Sequence, residues 1–476
     1  MSVKNMKPVV NLFIFRRDLR IQDNLALEEL YKQAPSTPIL LLFIFNPIQI
    51  SADKNAYFCA NSVQFMVESL KDLKKECRDR LHFLHGYDIS IMDQLLKNFI
   101  IQGVGFNADY TPFAKTRDAQ LKTWCESKNI PLFVSEDYTM FPMHSITTES
   151  SPKPYEVYTP FYKKCLTKVN TIRAPSTSVS HVNFYEGKVS GVVKNIDVYY
   201  GEKANERLKV HGGRENAREI LARISRRDFL NYASVRDFPA LDRTTKLSAY
   251  LKFGCVSIRE VFDAMKKAYG VHHGLVRELF WREFYAHITY HYPKILDGQI
   301  GGVNHVFKER YEDIKWEFHK DFWERWCVGK TGFPLVDAGM RQLNTTGYQH
   351  NRCRMITSMF LTKDLAIDWR KGEKYFAQHL VDYDPASNNG GWQWCSSTGT
   401  DSQPYFRVLS PMLQAQRFDK DVVYIREWIP ELRNVPAKDI LNWDKAHVKY
   451  PDIQYPKPIV KHREQVQHLI EKFRDI

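Results

Sequence analysis

The chain has 476 residues, of which 43% are hydrophobic, 13% aromatic and 26% charged. That length allows about two to four domains and a self-sufficient core, and the composition excludes a disordered or collagen-like chain. Lys and Arg outnumber Asp and Glu by 68 to 55, a formal charge of +13, so nucleic acid is the first partner to consider.

The start carries a short apolar run followed at once by Arg16, Arg17, Asp18 and Arg20, which is not a secretory signal. With no membrane span in the hydropathy, a soluble intracellular protein is expected, in cytoplasm or nucleus according to the organism. VVNLFIF, PILLLFIF, LHFLHG, GVGFNADY and IPLFVSED then alternate with helical patterns at βαβ spacing. They predict an α/β domain over about 1–135 with a parallel, Rossmann-like sheet covered on both faces. Gly103-Val-Gly105 imitates a dinucleotide fingerprint, but Pro112 follows and the segment reads as a strand.

Residues 136–204 lose periodicity and collect Ser, Thr, Pro and Tyr, which predicts an ordered interdomain connection wrapping a surface, followed by a mobile stretch near 172–200. From 205 to 476 the pattern is helical almost throughout, so a larger all-α C-terminal domain is expected. Gly329-Lys330-Thr331 ends like a P-loop without its first glycine, and His287 and His291 lack the Glu of a metalloprotease helix. The 8 cysteines form no C-x-x-C pair and read as reduced, mostly buried thiols; no metal site is expected.

The chemistry concentrates between about 225 and 420. Glu278, Trp281, Arg282 and Tyr285 fall on one helical face, either as an amphipathic stripe with a Glu278–Arg282 pair or as the polar, aromatic wall of a cavity. A second helix sets Asn351, Arg354 and Met355 on one side and turns Arg352 away from them. In DYDPASNNGGWQW, Gly390-Gly391 permits close backbone approach to a ligand, and Trp392 and Trp394 point in different directions. These patterns imply a cavity for a polar planar ligand near a basic surface.

RRDLR…DN, LSAYLKFG, ELFWREFY, HNRCRM, NNGGWQW and TGTDSQPYFR, in this order over nearly the whole chain, resemble the photolyase/cryptochrome family. The resemblance implies an α/β antenna domain, a helical domain binding FAD, and blue-light electron transfer. It is closest to class I cyclobutane pyrimidine dimer photolyases, which carry Asn and Met where Asn351 and Met355 stand. Six-four photolyases have His at both positions. Plant-type cryptochromes have Asp for Asn351 and commonly for Asn388. The implied activity is a carbon–carbon lyase that splits pyrimidine dimers in UV-damaged DNA, by electron transfer from photoexcited reduced FAD to a flipped-out dimer. The alternative is a cryptochrome-type photoreceptor without repair, against which the absence of a long tail after residue 476 also counts. A monomer is expected.

Residue by residue, the resemblance implies FAD contacts from Tyr232, Thr244, Thr245, Lys246, Leu247, Ser248, Arg282, Arg354, Asp382, Asp384 and Asn388. Trp281 and Trp394 would sandwich the dimer, with Glu278 and Asn351 on its polar edge and Met355 beside it. Arg236, Arg352, Arg407 and Gln414 would hold the DNA backbone, and Trp392, Trp369 and Trp316 would relay electrons to oxidised FAD. Tyr348 and Gln349 stand where bacterial relatives tend to have Trp and Met, and Lys246 replaces a frequent Arg. Asn107-Ala108-Asp109 departs from the pair expected for folate, so a second antenna chromophore, folate or deazaflavin, stays unidentified.

Overall fold

The five apolar runs form five strands in a computed structural model that describes residues 7–148, 152–176, 182–201, 204–474 and 476. They are β1 (Val9–Phe15), β2 (Ile39–Phe45), β3 (Leu81–His85), β4 (Ile100–Asn107) and β5 (Leu132–Ser135), in the order β3-β2-β1-β4-β5. All neighbours are parallel, so each connection crosses over through helices. These are α1 (Leu25–Gln33), α2 (Ala60–Glu76), α3 (Asp88–Asn98) and α4 (Pro112–Ser127). Strand β4 starts at Ile100 rather than Gly103 because Val9 and Val10 extend its register. Its two glycines lie against Leu30 of α1, where a Cβ would crowd the helix. They serve packing, not a dinucleotide.

Strand pleating divides the core. Val10, Leu12, Ile14, Leu40 and Leu42 face Ile91, Met92, Leu121 and Trp124 of α3 and α4. Phe13, Phe15, Leu41 and Phe43 join a second cluster that runs on into the helical part. The helices that matter there are α5 (Tyr158–Lys168), α6 (Arg214–Ser225), α7 (Ser248–Phe253), α8 (Ile258–Tyr269) and α9 (Gly274–His291). Then follow α10 (Lys320–Val328), α11 (Pro334–Thr346), α12 (Asn351–Met359), α13 (Trp369–His379), α14 (Pro385–Ser396), α15 (Pro411–Phe418) and α16 (His462–Arg474). Local signals start several of them: Ser257 and Glu260 form a capping box at α8, and Asp384 caps α14 ahead of Pro385. The P-loop-like Thr331 and Gly332 instead wrap the buried Asp337 carboxylate with their backbone N–H groups.

The stretch between sheet and helices is ordered as expected before 172, and the part beyond 182 that was expected to be mobile is held as well. It contains α5, and its described residues beyond 182 hydrogen-bond to the sheet. Ile39 pairs with Phe184 and Leu84 with Val192, while Lys71 reaches Asp197 at 2.5 Å. Part of this pairing occupies β3, an edge strand whose backbone would otherwise lack partners. Residues 177–181 of the expected mobile stretch lie outside the described residues.

A buried ionic lattice joins the layers. Arg20, in the loop after β1, donates to both Asp137 oxygens at 2.7 and 2.6 Å. Arg259 of α8 donates to the same Asp137 at 2.6 Å and to Asp23 at 2.9 Å. None of the four is more than 5% exposed. Arg259→Met would leave two buried carboxylates short of charge and is expected to cost roughly 3–5 kcal/mol, read as a lower urea midpoint at unchanged slope. Lys267→Ala breaks only an exposed pair with Asp263 and is expected to stay within about 0.5 kcal/mol of the parent.

Candidate functional site

A cavity of about 620 Å³ opens between the segment 244–248, one face of α9, the start of α12 and the turn from α13 into α14. Glu278, Trp281, Arg282 and Tyr285 all line it, which is the cavity-wall alternative for α9. Glu278 does not pair with Arg282. It is bonded to Arg236, and burial still pushes its carboxyl above the usual range. Arg282 instead donates to the Tyr138 carbonyl at 2.8 Å and stacks 3.7 Å from that ring's centre.

One end of the cavity is polar. Tyr232, Thr244, Thr245, Lys246, Leu247 and Ser248 line it, with Lys246 held by Asp242 at 2.6 Å. Ser248 donates to Asp382 at 2.6 Å, and Arg354 donates to both oxygens of the same carboxylate at 3.1 and 2.9 Å. Gln349 is fully buried at this wall, its Nε2 packed against Gly339 of α11 and its Oε1 accepting from the Thr357 hydroxyl at 3.4 Å. Asp384 caps Ser387 N of α14, accepts from the Tyr138 hydroxyl at 2.7 Å and is bonded to Arg17. Arg17 and Arg282 hold its carboxyl down to about 2 despite complete burial.

The other end is aromatic. Trp281 lies on Tyr158 of α5 with ring centres 3.5 Å apart and planes within 4°. Trp394 is half-buried and also lines the cavity, and Asn351 is exposed with its Nδ2 3.7 Å from Met355 Sδ. Arg352 also lines the cavity rather than turning away. It pairs with Asp237 at 2.8 Å and stacks on Phe418, so it is not a free surface cation. Trp392 is only 2% exposed, with Phe376 and Trp326 as ring neighbours at 4.9 and 6.2 Å.

Four expected residues do not line the cavity. Trp369 is fully buried behind it, and Trp316 is half-buried beside Phe473 of α16. Arg407 is exposed and Gln414 half-buried outside the cavity. Reasoning from the sequence missed Arg17, Tyr138, Lys252, Tyr383 and Glu373, which come from segments far apart in the chain. The charged run after β1 was the signal for Arg17.

The glycine pair divides its work. A Cβ on Gly390 would run into the Tyr285 ring, so this glycine lets α14 press onto α9 rather than approach a ligand. Gly391 has open space before it and lines the cavity.

A second, smaller cavity of about 230 Å³ lies at the carboxyl ends of β1 and β2, where Phe15, Arg16, Arg17, Asp109 and Arg117 converge. Such strand ends, at the point where the order reverses, are where open α/β sheets bind ligands. Arg16 Nε and Nη2 and Arg117 Nη2 are buried there without partners. Asn107 is not available to it, being bonded to Asp18 and Asn24 at 2.6 and 2.7 Å. Lys252 and Tyr383 line both cavities. Among the described residues no cluster could hold a metal ion and no helix is long and apolar enough to cross a membrane.

Two family models match the chain: DNA photolyase over residues 11–179, and the FAD binding domain of DNA photolyase over 275–475. A deoxyribodipyrimidine photo-lyase of Salmonella typhimurium is 35% identical, covering 95% of this chain and 96% of its own. Among solved structures, a photolyase from Sulfolobus tokodaii with two FAD molecules superposes with a TM-score of 0.84 at 34% identity, covering 98% of this chain and all of that one. A class III photolyase from Agrobacterium tumefaciens gives 0.87 at 28%, covering 100% of this chain and 99% of the other.

The two adjacent glycines give a paired test of the cavity wall. Gly390→Ala is expected to lower the thermal midpoint by several degrees, as overpacking costs about 1–3 kcal/mol. Gly391→Ala, which meets nothing, is expected to hold or slightly raise it, as Ala favours helix. Scanning calorimetry of both variants checks this.

Proposed function

The chain belongs to the DNA photolyase family, and on that premise we propose that its larger cavity binds FAD and repairs cyclobutane pyrimidine dimers in DNA. The donor set suits the cofactor. Thr244, Thr245 and Lys246 offer hydroxyl and ammonium groups to a diphosphate, while Arg354 and Asp382 offer polar contacts beyond it. When bound and reduced, FAD supplies an electron on absorbing blue light and takes it back once the two cyclobutane bonds have opened.

The observation that carries the reading is the aromatic mouth. Trp281 and Trp394 line one cavity together with Asn351, Met355 and Glu278. A dimer extruded from the duplex would stack on the two indoles, as base-flipping enzymes read extruded bases. Asn351 and Glu278 would hydrogen-bond its carbonyl and N–H edge and stabilise the negative charge it gains. The net charge of +13 attracts the duplex by counterion release. Arg407 and Gln414, which lie outside the cavity, would contact phosphates rather than the lesion. In the same proposal Trp392, at the cavity wall, hands electrons inward from Trp369 and Trp316. The smaller cavity takes the second chromophore, its unpartnered guanidinium N–H groups meeting a polar ligand.

The reaction is tested with chemically reduced protein under blue light, on DNA carrying either a cyclobutane dimer or a six-four photoproduct, with dark controls. Light-dependent restoration of the cyclobutane substrate alone is expected; restoration of neither by FAD-loaded protein would favour a photoreceptor without repair. Asn351→Ala is expected to lower the repair yield severalfold while leaving bound FAD unchanged by absorbance. Trp392→Phe is expected to abolish photoreduction of oxidised FAD yet spare repair by prereduced protein, checked by following flavin absorbance and repair separately.

A further inference from the structure

Between α14 and α15 the chain runs through residues 397–410 without a helix or strand, and Arg407 lies on this connection. Arg407 differs from two other arginines expected at DNA. Arg236 is taken up by Glu278 and Arg352 by Asp237, whereas the exposed Arg407 guanidinium has no hydrogen bond or ion pair among the described residues. A free guanidinium fork suits a phosphate, and its position is set by the backbone that carries it. That backbone is a turn, closed by Arg407 N donating to the Pro404 carbonyl at 2.9 Å.

The two central side chains of the turn part. Phe406 is 58% exposed, while Tyr405 is half-buried and lies on Phe473 of α16, with ring centres 5.5 Å apart and planes within 5°. The Lys363 ammonium lies over the same Phe473 ring at 4.4 Å. Lys363 also donates to the Ser396 carbonyl at 3.1 Å and the Ser397 hydroxyl at 2.9 Å. Phe473 thus touches the connection at its tip directly and at its root through Lys363. The helix that carries Phe473 is firmly seated. Lys363 and Asp364 are fully buried side by side, and α16 supplies the ring over the first and the His462 partner of the second, at 2.5 Å. Lys472 and His468 pair with Glu317 at 2.5 and 2.7 Å. Uncovering such buried charges is costly, so α16 is a rigid support.

We infer that Phe473 is a positioning residue, which holds the turn 404–407 through Tyr405 so that Arg407 meets a DNA phosphate, without Phe473 reaching the duplex itself. This rests on the proposed reading of Arg407 as a contact to the DNA backbone. Without the anchor the turn would sample many positions, and each binding event would have to order it again. The C-terminal helix therefore sets DNA affinity from a distance.

The test titrates FAD-loaded protein with a duplex carrying a cyclobutane dimer over a series of salt concentrations. Arg407→Ala is expected to reduce the slope of log affinity against log salt by about one, the mark of one lost phosphate contact. An unchanged slope there would overturn Arg407 as a DNA contact, the reading on which the inference rests. With that slope reduced, Phe473→Ala is expected to reduce it likewise and to weaken binding about fivefold. Flavin absorbance and the repair yield of bound DNA are expected to stay at parent values. Phe473→Tyr keeps the ring and is expected to behave as the parent. In an Arg407→Ala background, Phe473→Ala is expected to add nothing, because the effect passes through the guanidinium. A parental slope in Phe473→Ala, an equal loss in both backgrounds, or failure of the Tyr variant to rescue would each overturn the inference. Should Phe473→Ala unseat α16, Tyr405→Ala removes the same contact from the turn. It must give the same reduced slope, and a parental slope overturns the proposal.

Discussion

Charge that cannot reach water governs this structure. Arg20, Arg259, Asp23 and Asp137 are almost completely buried, and each is tolerable only because the others are present. The lattice continues at Arg17, which bonds Asp384 and pairs with Asp109 at 3.4 Å. Strand β1, the connection after β5, α8 and the cap of α14 are therefore fixed relative to one another by groups that cannot let go singly. Asp384 is the point at which this reaches function. The same carboxylate starts the helix that carries Asn388, Trp392 and Trp394, so that helix takes its direction from the end of a strand.

Elements with strong periodicity were legible in the sequence. The five strands and α9 read correctly because alternation or a 3.6-residue stripe reports directly on which face is buried. Many of the residues singled out from the sequence line the larger cavity, and the α9 stripe, which the sequence left open between a surface face and a wall, lines it too. What did not read were pairings between distant segments. Arg236 with Glu278, Arg352 with Asp237 and Asn388 with Glu373 leave no mark on local spacing. The end of the connecting segment misled for another reason. Its polar composition resembles a loose linker, yet the sheet-pairing residues near 184 and 192 are held by tertiary contacts that composition does not encode. Gly390 misled in a similar way, since close approach was correctly implied but the approaching group is Tyr285.

The two cavities are neighbours by construction. The strand ends of a doubly wound sheet open a crevice, and the helical part closes over it with α7 and the turn before α14. Lys252 and Tyr383 form the partition, and burial lowers the Lys252 ammonium to about 8. Tyr57 belongs to the same region, lining the smaller cavity while bonding Glu373 behind the larger one. The partition is polar: Lys252 donates to the Ser62 hydroxyl at 2.5 Å, and the Tyr383 hydroxyl accepts from Gln299 at 2.9 Å.

Tyr158 lies flush against the back of Trp281 and is anchored by its hydroxyl on the Arg277 carbonyl at 3.1 Å. The indole is thereby frozen in place before anything enters the mouth. A side chain that binding would otherwise have to immobilise, at about 0.5–1.5 kcal/mol, has had that entropy removed during folding. The saving comes from a helix in the connecting segment, not from the catalytic helices themselves. On the proposed reading of Trp281 as a platform for the lesion, sequence drift in that unassuming stretch would surface as weaker lesion affinity and faster release.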